Sequence, residues 1–205
     1  MVELHDEIVR FKQWAPAPGN RSSDWEYEYE NWDRLCALAV STIERYADSE
    51  IPRNVAEDLI YALGRDNEGE HLREHLIDAP QLLATLAIHA MRVADPDAKW
   101  QIVVSVAEAE LSNAAELIQP YLLDEDEYVR RRSLLAFAVF SPREAEAIAL
   151  QNLTDSFEYT RIAALHVLDM TDSSHLAASL DALDNDPIDY VRSNVRELRE
   201  RGRNK

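Results

Sequence analysis

Apolar and polar positions in the second half of the chain alternate with the period of an α-helix. Positions four residues apart, which share one helix face, are apolar or small in two successive segments: Val129, Ser133 and Phe137 in the first, and Thr160, Ala164 and Leu168 in the second. A shorter apolar stretch and a polar turn precede each segment. The pattern predicts helical hairpins whose first helices lie over residues 114–122, 143–153 and 174–183.

The first half of the chain shows the same helical spacing with a less regular period. It predicts helices over residues 32–46, 54–63, 80–93 and 99–111, which can form two further pairs, and a short helix near Gly69. An N-terminal helix over residues 2–14 is separated from them by the sequence APAPGNRSS, whose composition is typical of a loop. The whole pattern is therefore that of an all-α protein.

A phrase around three tyrosines repeats with a period of 31 residues. Tyr128, Tyr159 and Tyr190 each follow an aspartate by four positions and precede an arginine by two, in DEDEYVR, DSFEYTR and DPIDYVR. A weaker copy, DPDAKWQ, starts at Asp95. Repeats of two helices cannot bury their apolar faces alone, so they stack into a solenoid. One tyrosine per repeat predicts packing between neighbouring helices with the hydroxyl at the rim, and a binding role is the alternative.

The aspartate that opens each phrase lies close to the predicted start of a helix. Asp124, Asp155 and Asp186 are each followed by a second acid three residues later. A short acceptor side chain at the N-cap bonds to the free N–H groups of the first helical turn. The pattern predicts that these three aspartates cap the second helices of their repeats.

Composition supports the all-α interpretation. The chain of 205 residues has only four glycines, whereas sandwiches and barrels need many tight turns with positive φ. We predict a right-handed α-α superhelix of about five helical hairpins that forms one domain over residues 1–205. Within it, residues 1–30 form an N-terminal helix and an acidic, aromatic loop, residues 31–111 form divergent repeats and residues 112–202 form regular repeats.

The repeated phrase of aspartate, acid, tyrosine, valine or threonine, and arginine resembles the short HEAT-like repeats, including those of phycobilin lyases. The resemblance covers residues 112–202 well and residues 31–111 weakly. It implies that the arginine of each repeat bonds to aspartates of its own or the neighbouring turn. By this resemblance a structural ladder joins three arginines to three aspartates: Arg130, Arg161 and Arg192 with Asp124, Asp155 and Asp186. Gln101 replaces the arginine in the weaker copy, where the ladder is expected to stop.

The chain is strongly acidic, with 39 acidic and 21 basic residues and a formal net charge of −18. Such a field repels phosphate backbones and attracts cationic proteins, so we expect a basic protein partner and no nucleic acid. The alternative is that the acidic surface, with only three lysines, serves solubility.

A single cysteine, Cys36, lies in the apolar run LCAL and is expected in the core, without an intrachain disulfide. The N-terminal sequence MVELHDEIVR is too acidic and too poor in apolar residues for a signal peptide. No apolar run approaches the roughly 20 residues that span a bilayer. We therefore expect a cytoplasmic protein that does not associate with membranes.

Acidic residues alternate with large aromatic residues before the first predicted helix pair. This acidic-aromatic segment comprises Asp24, Trp25, Glu26, Tyr27, Glu28, Tyr29, Glu30 and Trp32. Rings that anchor an interface beside acids that attract cations suit a basic protein partner, so these residues are the predicted binding site. The alternative is that the rings pack as a lid on the first helix pair and leave the acids in solvent.

His71, Glu74 and His75 spell H-x-x-E-H, an inverted zinc-protease signature. Such a site needs a large catalytic domain and a further carboxylate ligand, and the sequence indicates neither. We interpret the motif as a charged helix face. No Ser/His/Asp arrangement, phosphate-binding glycine loop or CxxC pair is recognisable. We expect no metal, no cofactor and no catalytic residue.

The sequence thus predicts a non-enzymatic module that binds a basic protein. A bacterial immunity or antitoxin-type inhibitor that masks a basic toxin domain is one specific form of this hypothesis. The enzyme alternative is a HEAT-like lyase, which would bind a bilin or a similar cofactor, or a DNA glycosylase, which would bind duplex DNA with a steep salt dependence.

Overall fold

The structure is a computed structural model that describes residues 3–22 and 25–203. Within these residues the regular structure consists of twelve α-helices and three short 3-10 helices, without a strand. The all-α prediction is confirmed. The chain divides into two compact units, Met1–Asn113 and Ala114–Lys205, which are described in turn.

Six α-helices lie in the described part of the first unit: α1 (Leu4–Trp14), α2 (Trp32–Tyr46), α3 (Arg53–Arg65), α4 (His71–Ile77), α5 (Pro80–Ala90) and α6 (Pro96–Glu108). Two 3-10 helices, Pro18–Asn20 and Trp25–Glu28, lie between α1 and α2. α1 packs against α2 and α3, and α6 packs against α3, α4 and α5. These contacts bury apolar side chains such as Phe11, Leu63 and Ile102, which form the core of the unit.

The helices predicted for this unit exist, and their ends differ by a few residues. The helix expected at 80–93 ends at Ala90, and the one expected at 99–111 begins at Pro96. Proline suits the first helical position because it has no N–H to leave unpaired. Asp95 caps this start by accepting a hydrogen bond from the Ala98 N–H at 3.3 Å.

Gly64 allows α3 to approach the start of α6 closely. A Cβ atom at this position would lie 2.6 Å from a carboxylate oxygen of Asp95. The same carboxylate caps α6 and accepts hydrogen bonds from Arg65 at 3.0 and 3.2 Å. A larger residue at position 64 would therefore displace a group that holds two helices together.

The second unit repeats a helical hairpin three times. First and second helices alternate along its described residues: α7 (Ala114–Ile118), α8 (Glu127–Phe140), α9 (Pro142–Asn152), α10 (Glu158–Met170), α11 (Leu176–Ala182) and α12 (Asp189–Arg203). The predicted helix at 114–122 is divided, since α7 continues as the 3-10 helix Gln119–Leu123. α10 packs against both α8 and α12, so the second helices of successive hairpins are neighbours.

Adjacent hairpins of the second unit share one core. Ile162 and Leu165 of α10 pack with Leu180 of α11 and with Val191 and Val195 of α12 in a buried apolar cluster. The apolar face of one hairpin is thus covered by the next. This packing explains why the apolar spacing recurs with the same period as the tyrosine phrase.

The N-cap prediction for the repeated aspartates is wrong. The N-cap of α8 is Asp126, whose side chain accepts a bond from a first-turn N–H at 3.1 Å, and the N-cap of α10 is Phe157. Asp124, Asp155 and Asp186 come earlier, and each accepts a hydrogen bond from the N–H two residues later, at 3.0, 2.8 and 2.9 Å. The aspartates form Asx turns that redirect the chain before the helix begins.

Candidate functional site

The rings of the acidic-aromatic segment pack mostly inside the first unit. Trp25, Tyr29 and Trp32 are 6%, 5% and 6% exposed. Their centroids lie 5.3, 5.2 and 5.9 Å from that of the fully buried Phe11 of α1. Trp14 stacks on Trp25 at 6.0 Å. These rings cover α1 and α2, as the lid alternative expects, and a partner does not reach them without unpacking the unit.

The polar residues of the segment divide into a buried and an exposed set. Glu26 is buried, and burial raises the pKa of its carboxyl, although a backbone hydrogen bond acts in the opposite direction. Tyr27, Glu28 and Glu30 are exposed. Asp24 lies outside the described residues. The part of the predicted site that a partner can contact is therefore Tyr27, Glu28 and Glu30, within the described residues.

A buried carboxylate anchors the segment to α1. Glu7 is fully buried and accepts a hydrogen bond from the Tyr29 hydroxyl at 2.8 Å. Its other oxygen pairs with Arg10 at 3.1 Å and with Arg34 of α2 at 3.2 Å. A buried charge is tolerated when it is paired and hydrogen-bonded this fully. Glu7 was not predicted from the sequence, although an acid on the apolar stripe of α1 indicates a buried, paired carboxylate.

The arginine of each repeat closes its own turn. Nη1 of Arg130, Arg161 and Arg192 donates to the backbone carbonyl of the aspartate six residues earlier, at 2.7, 2.8 and 2.6 Å. Arg161 also donates from Nε and Nη2 to both carboxylate oxygens of Asp186 in the next repeat, at 2.8 Å each. Gln101, in the weaker copy, donates to two backbone carbonyls. The arginines thus fix the turns, and Arg161 links two repeats.

The Arg161–Asp186 pair is buried, which makes its electrostatics strong. Burial by itself raises the pKa of Asp186. Hydrogen bonds from Arg161 and from the Ile188 N–H, with the charges of Arg161 and Arg192, outweigh burial and lower this pKa below its ordinary value. The carboxylate is therefore ionised in the fold, and its role is to hold two repeats together.

The three repeated tyrosines are exposed and lie next to one another. Tyr128, Tyr159 and Tyr190 are 36%, 44% and 54% exposed. The rings of Tyr159 and Tyr190 meet edge to face at 5.8 Å. The guanidinium carbon of Arg131 lies 4.8 Å from the Tyr128 centroid and 5.1 Å from the Tyr159 centroid. We name Tyr128, Arg131, Tyr159 and Tyr190 the tyrosine row.

The position of each tyrosine within its helix explains its exposure. Each is the second residue of a second helix, so its ring lies beside the first turn of the neighbouring helix instead of between two helix bodies. The one tyrosine per repeat predicts more complete packing of these rings between neighbouring helices. Spacing shows that the tyrosines are equivalent, but it does not show how far the neighbouring helix covers them.

A carboxylate holds Arg131 in the tyrosine row. Oε1 of Glu127 accepts hydrogen bonds from Nε of Arg131 at 3.2 Å and from the Thr160 hydroxyl of α10 at 3.1 Å. The Arg131 side chain is 22% exposed. Its guanidinium is thus oriented by α8 and α10 together, and the two neighbouring rings share it.

The first unit contains one pairing that resembles part of a catalytic arrangement. His5 lies with Thr42, Tyr46 and Asp58 around a cavity of about 240 Å³, and Nδ1 of His5 pairs with Asp58 at 3.0 Å. A carboxylate at Nδ1 orients an imidazole for proton transfer. His5 is 64% exposed, and within the described contacts no nucleophile is hydrogen-bonded to it. The pair has the geometry of a hydrogen bond between an exposed imidazole and a carboxylate.

Among the described residues, the other reactive side chains do not assemble into a catalytic or metal-binding centre. His71, Glu74 and His75 lie exposed on α4, and no group of three or more His, Cys, Asp or Glu side chains in residues 3–22 and 25–203 could hold a metal ion. Burial raises the pKa of Cys36 to about 12, so its thiol stays protonated and is a weak nucleophile. No helix in the described part of the chain is both long and apolar enough to cross a bilayer.

Comparison of this chain with protein-family models, with curated proteins and with solved structures finds no match. Its function is therefore inferred from its own residues and their geometry.

Proposed function

We propose that this chain is a HEAT-like repeat protein, with a right-handed solenoid, that binds another protein without catalysing a reaction. Successive hairpins of the second unit carry the same Asx turn, the same arginine contact and an exposed tyrosine at the same place. Stacked repeats present equivalent residues side by side, which creates an extended binding surface. The tyrosine row is the observation that carries the proposal.

Exposed tyrosines in a row favour a protein as the ligand. Tyrosine buries a large apolar area when it enters an interface, loses little side-chain freedom because it has two rotatable bonds, and keeps a hydroxyl for hydrogen bonding. It is enriched at the energetic centres of protein interfaces. Side-by-side rings on three helices therefore suit an elongated contact better than a small molecule.

The partner is proposed to be basic. The chain has a net charge of −18, and an acid immediately precedes each tyrosine of the row. Such a net charge accelerates the approach of a cationic protein and repels nucleic acid. Glu28 and Glu30 of the acidic-aromatic segment form a second, smaller exposed acidic surface in the first unit. A cationic partner is attracted to this surface as well.

The most specific form of the proposal is a cytoplasmic immunity or antitoxin-type inhibitor that covers a basic toxin domain. Its support is the size, the acidity and the exposed aromatic surface of the chain. Co-purification with a cationic toxin would support this form. Normal growth of a deletion strain beside toxin-producing siblings would count against it.

Affinity capture from the native host with the full chain as bait tests the proposal. We expect the wild type to retain a basic protein and Tyr159→Ala to retain less of it. Tyr27→Ala tests the acidic-aromatic segment in the same way, because Tyr27 is 45% exposed, close to the 44% of Tyr159, and lies outside the tyrosine row. Capture that is lost with Tyr27→Ala and kept with Tyr159→Ala would move the interface to the acidic-aromatic segment. Absence of any retained protein would contradict the proposal.

A further inference from the structure

The tyrosine row already holds the guanidinium of Arg131, and Arg132 of the same helix places a second guanidinium 5.9 Å from the Tyr128 centroid. A cation within about 6 Å of a ring centroid is attracted by the negative face of the ring. Arg131 meets this distance with two rings of the row, at 4.8 and 5.1 Å, and a carboxylate fixes its orientation. The row is therefore built to stabilise a planar cation between or against its rings.

The row continues beyond Arg131 without a second arginine at the equivalent positions. The residues that correspond to Arg131 in the next two repeats are Ile162 and Ser193. Ile162 is buried in the core shared by α10, α11 and α12. Tyr159 and Tyr190 contact each other at their rings and remain 44% and 54% exposed. This end of the row has the rings of a cation site and no guanidinium at the positions equivalent to Arg131.

We propose that the tyrosine row binds arginine side chains of a basic protein segment, which stack on the exposed rings of Tyr159 and Tyr190, much as the Arg131 guanidinium lies over the rings of Tyr128 and Tyr159. The inference rests on the proposed function, because it specifies which side chains of the partner the tyrosine row binds. Arginine fits better than lysine, since its guanidinium is planar, weakly hydrated and able to stack on an aromatic face.

Charge complementarity at this end of the row points to the same ligand. Asp189 directly precedes Tyr190, and its side chain is 76% exposed. It pairs with Arg192 at 3.0 Å, but an ion pair this exposed is weak and exchanges readily with another cation. Glu158 stands at the equivalent place before Tyr159. The first turns of α10 and α12 thus each carry a carboxylate that an incoming guanidinium can pair with.

The backbone under Tyr190 is held rigidly, which favours binding. Asn194 donates to the Tyr190 carbonyl at 2.9 Å, and its Oδ1 lies 3.1 Å from Nε2 of His166 on α10. The first turn of α12 is thereby tied to the neighbouring helix. The ring itself is restricted by its edge-to-face contact with Tyr159, and a restricted ring loses less freedom when a ligand stacks on it.

Titration of the full chain with hexa-arginine and hexa-lysine peptides of equal charge tests the inference. We expect hexa-arginine to bind more tightly. Tyr190→Leu should weaken hexa-arginine binding about two- to fivefold, the range for an exposed cation–π contact, and should change hexa-lysine binding less. Tyr190→Phe keeps the ring and should bind hexa-arginine like the wild type. Circular dichroism of each variant checks that the fold is kept.

A second variant tests the role of Arg131 as an internal ligand. Arg131→Gln removes its guanidinium from between Tyr128 and Tyr159, so hexa-arginine should bind severalfold more tightly to the vacated place. Arg143→Gln removes the same charge from an exposed position on α9 and is the matched control for the change in net charge. An equal gain in both variants would show that charge alone matters and would contradict stacking.

The outcomes separate this inference from the proposed function. Equal affinity for the two peptides, or unchanged hexa-arginine binding by Tyr190→Leu, overturns the stacking inference even if a partner is captured from the host. Hexa-arginine binding that depends on Tyr190 supports stacking even if capture fails and the proposed function falls. A concentration-dependent dimer in light scattering that Tyr190→Leu abolishes would identify a second copy of this chain as the occupant and overturn the proposed partner.

Discussion

Individual charged residues in this protein are stabilised by partners that lie far away along the chain. Glu7 is buried against Tyr29 and Arg34, and Arg161 pairs with Asp186, 25 positions later. In each case the carboxylate is buried and accepts hydrogen bonds or pairs with more than one donor. Removal of Arg161 leaves Asp186 buried without its ion-pair partner, which costs more than the intact pair contributes.

Replacement of Arg161 tests how much the buried ion pair with Asp186 contributes to stability. Arg161→Met leaves Asp186 buried without its guanidinium, and we expect the free energy of unfolding to fall by about 3–5 kcal/mol in urea titrations. Arg53→Met is the control, because Arg53 and Glu57 pair at 2.8 Å with 74% and 49% of their side chains exposed, and such pairs contribute at most about 1 kcal/mol. Equal losses of unfolding free energy in the two variants would show that the buried pair contributes no more to stability than the exposed one.

The lowered pKa of Asp186 predicts a pH dependence of stability. In the fold this carboxyl has a lower pKa than in the unfolded chain, so its contribution is complete above the unfolded value of about 4 and is lost as pH falls through the folded pKa. The wild type should therefore exceed Asp186→Asn in unfolding free energy at pH 7, and the difference should shrink below about pH 4. A difference that stays constant from pH 7 to pH 3 would contradict this assignment.

At the scale of whole elements, helices are joined by a few close contacts that tolerate little change in volume. The 3-10 helix Trp25–Glu28 is held to α1 by rings around Phe11, and α3 meets the start of α6 at Gly64. Both contacts connect segments that are separate in sequence. The contribution of each contact to stability is therefore tested by a substitution at the contact and a similar substitution at an exposed position.

Addition of a methyl group at Gly64 should destabilise the contact between α3 and α6. Alanine ordinarily stabilises a helix relative to glycine by about 1 kcal/mol, but here its Cβ would lie 2.6 Å from the Asp95 carboxylate. We expect Gly64→Ala to lower the free energy of unfolding by about 1–3 kcal/mol. Gly202→Ala in α12, where nothing lies within 4 Å, should be neutral or slightly stabilising. A stabilising Gly64→Ala would show that Asp95 moves freely.

Truncation of a buried ring of the acidic-aromatic segment should destabilise the protein more than truncation of an exposed ring. Trp25→Ala removes a ring that is 6% exposed, and we expect a loss of about 3–5 kcal/mol in unfolding free energy. Tyr27→Ala removes a ring that is 45% exposed, and a loss of about 1 kcal/mol is expected. Thermal or urea unfolding measures both. Similar small losses would show that the segment does not pack on α1.

At the scale of the whole molecule, the acidic surplus is the property most closely tied to the proposed function. A net charge of −18 raises the local concentration of cations around the chain. It also keeps a protein soluble, which is the alternative explanation of the same charge. Kinetics distinguish the two explanations.

The association rate with the captured partner should depend steeply on salt. We expect it to fall at least about tenfold between 50 and 500 mM salt, because ions screen long-range attraction, while the dissociation rate changes less. Stopped-flow or surface-based binding measures both rates. A rate that does not change with salt would assign the acidity to solubility and leave binding to the rings alone.

Much of the fold was predictable from local pattern. The helix expected at 32–46 runs Trp32–Tyr46, because its apolar spacing is clear along its whole length. The start of α8 was less accurate, since Asp124 and Asp126 are both suitable caps and the Asx turn decides between them. For the candidate site, the 31-residue repeat identified Tyr159 and its equivalents. The alternation of acidic and aromatic residues instead predicted a binding site that includes Trp25, and the fold buries this ring.

The sequence by itself determined that the chain is helical, where its helices lie and which residues are equivalent between repeats, because these properties follow from spacing along one chain. The tertiary structure alone decided that Trp25 is covered, that Tyr190 is exposed and that Arg131 lies between two tyrosines. Exposure and pairing depend on which helices become neighbours. That choice is made by the packing of apolar faces over the whole unit, so no local window of sequence contains it.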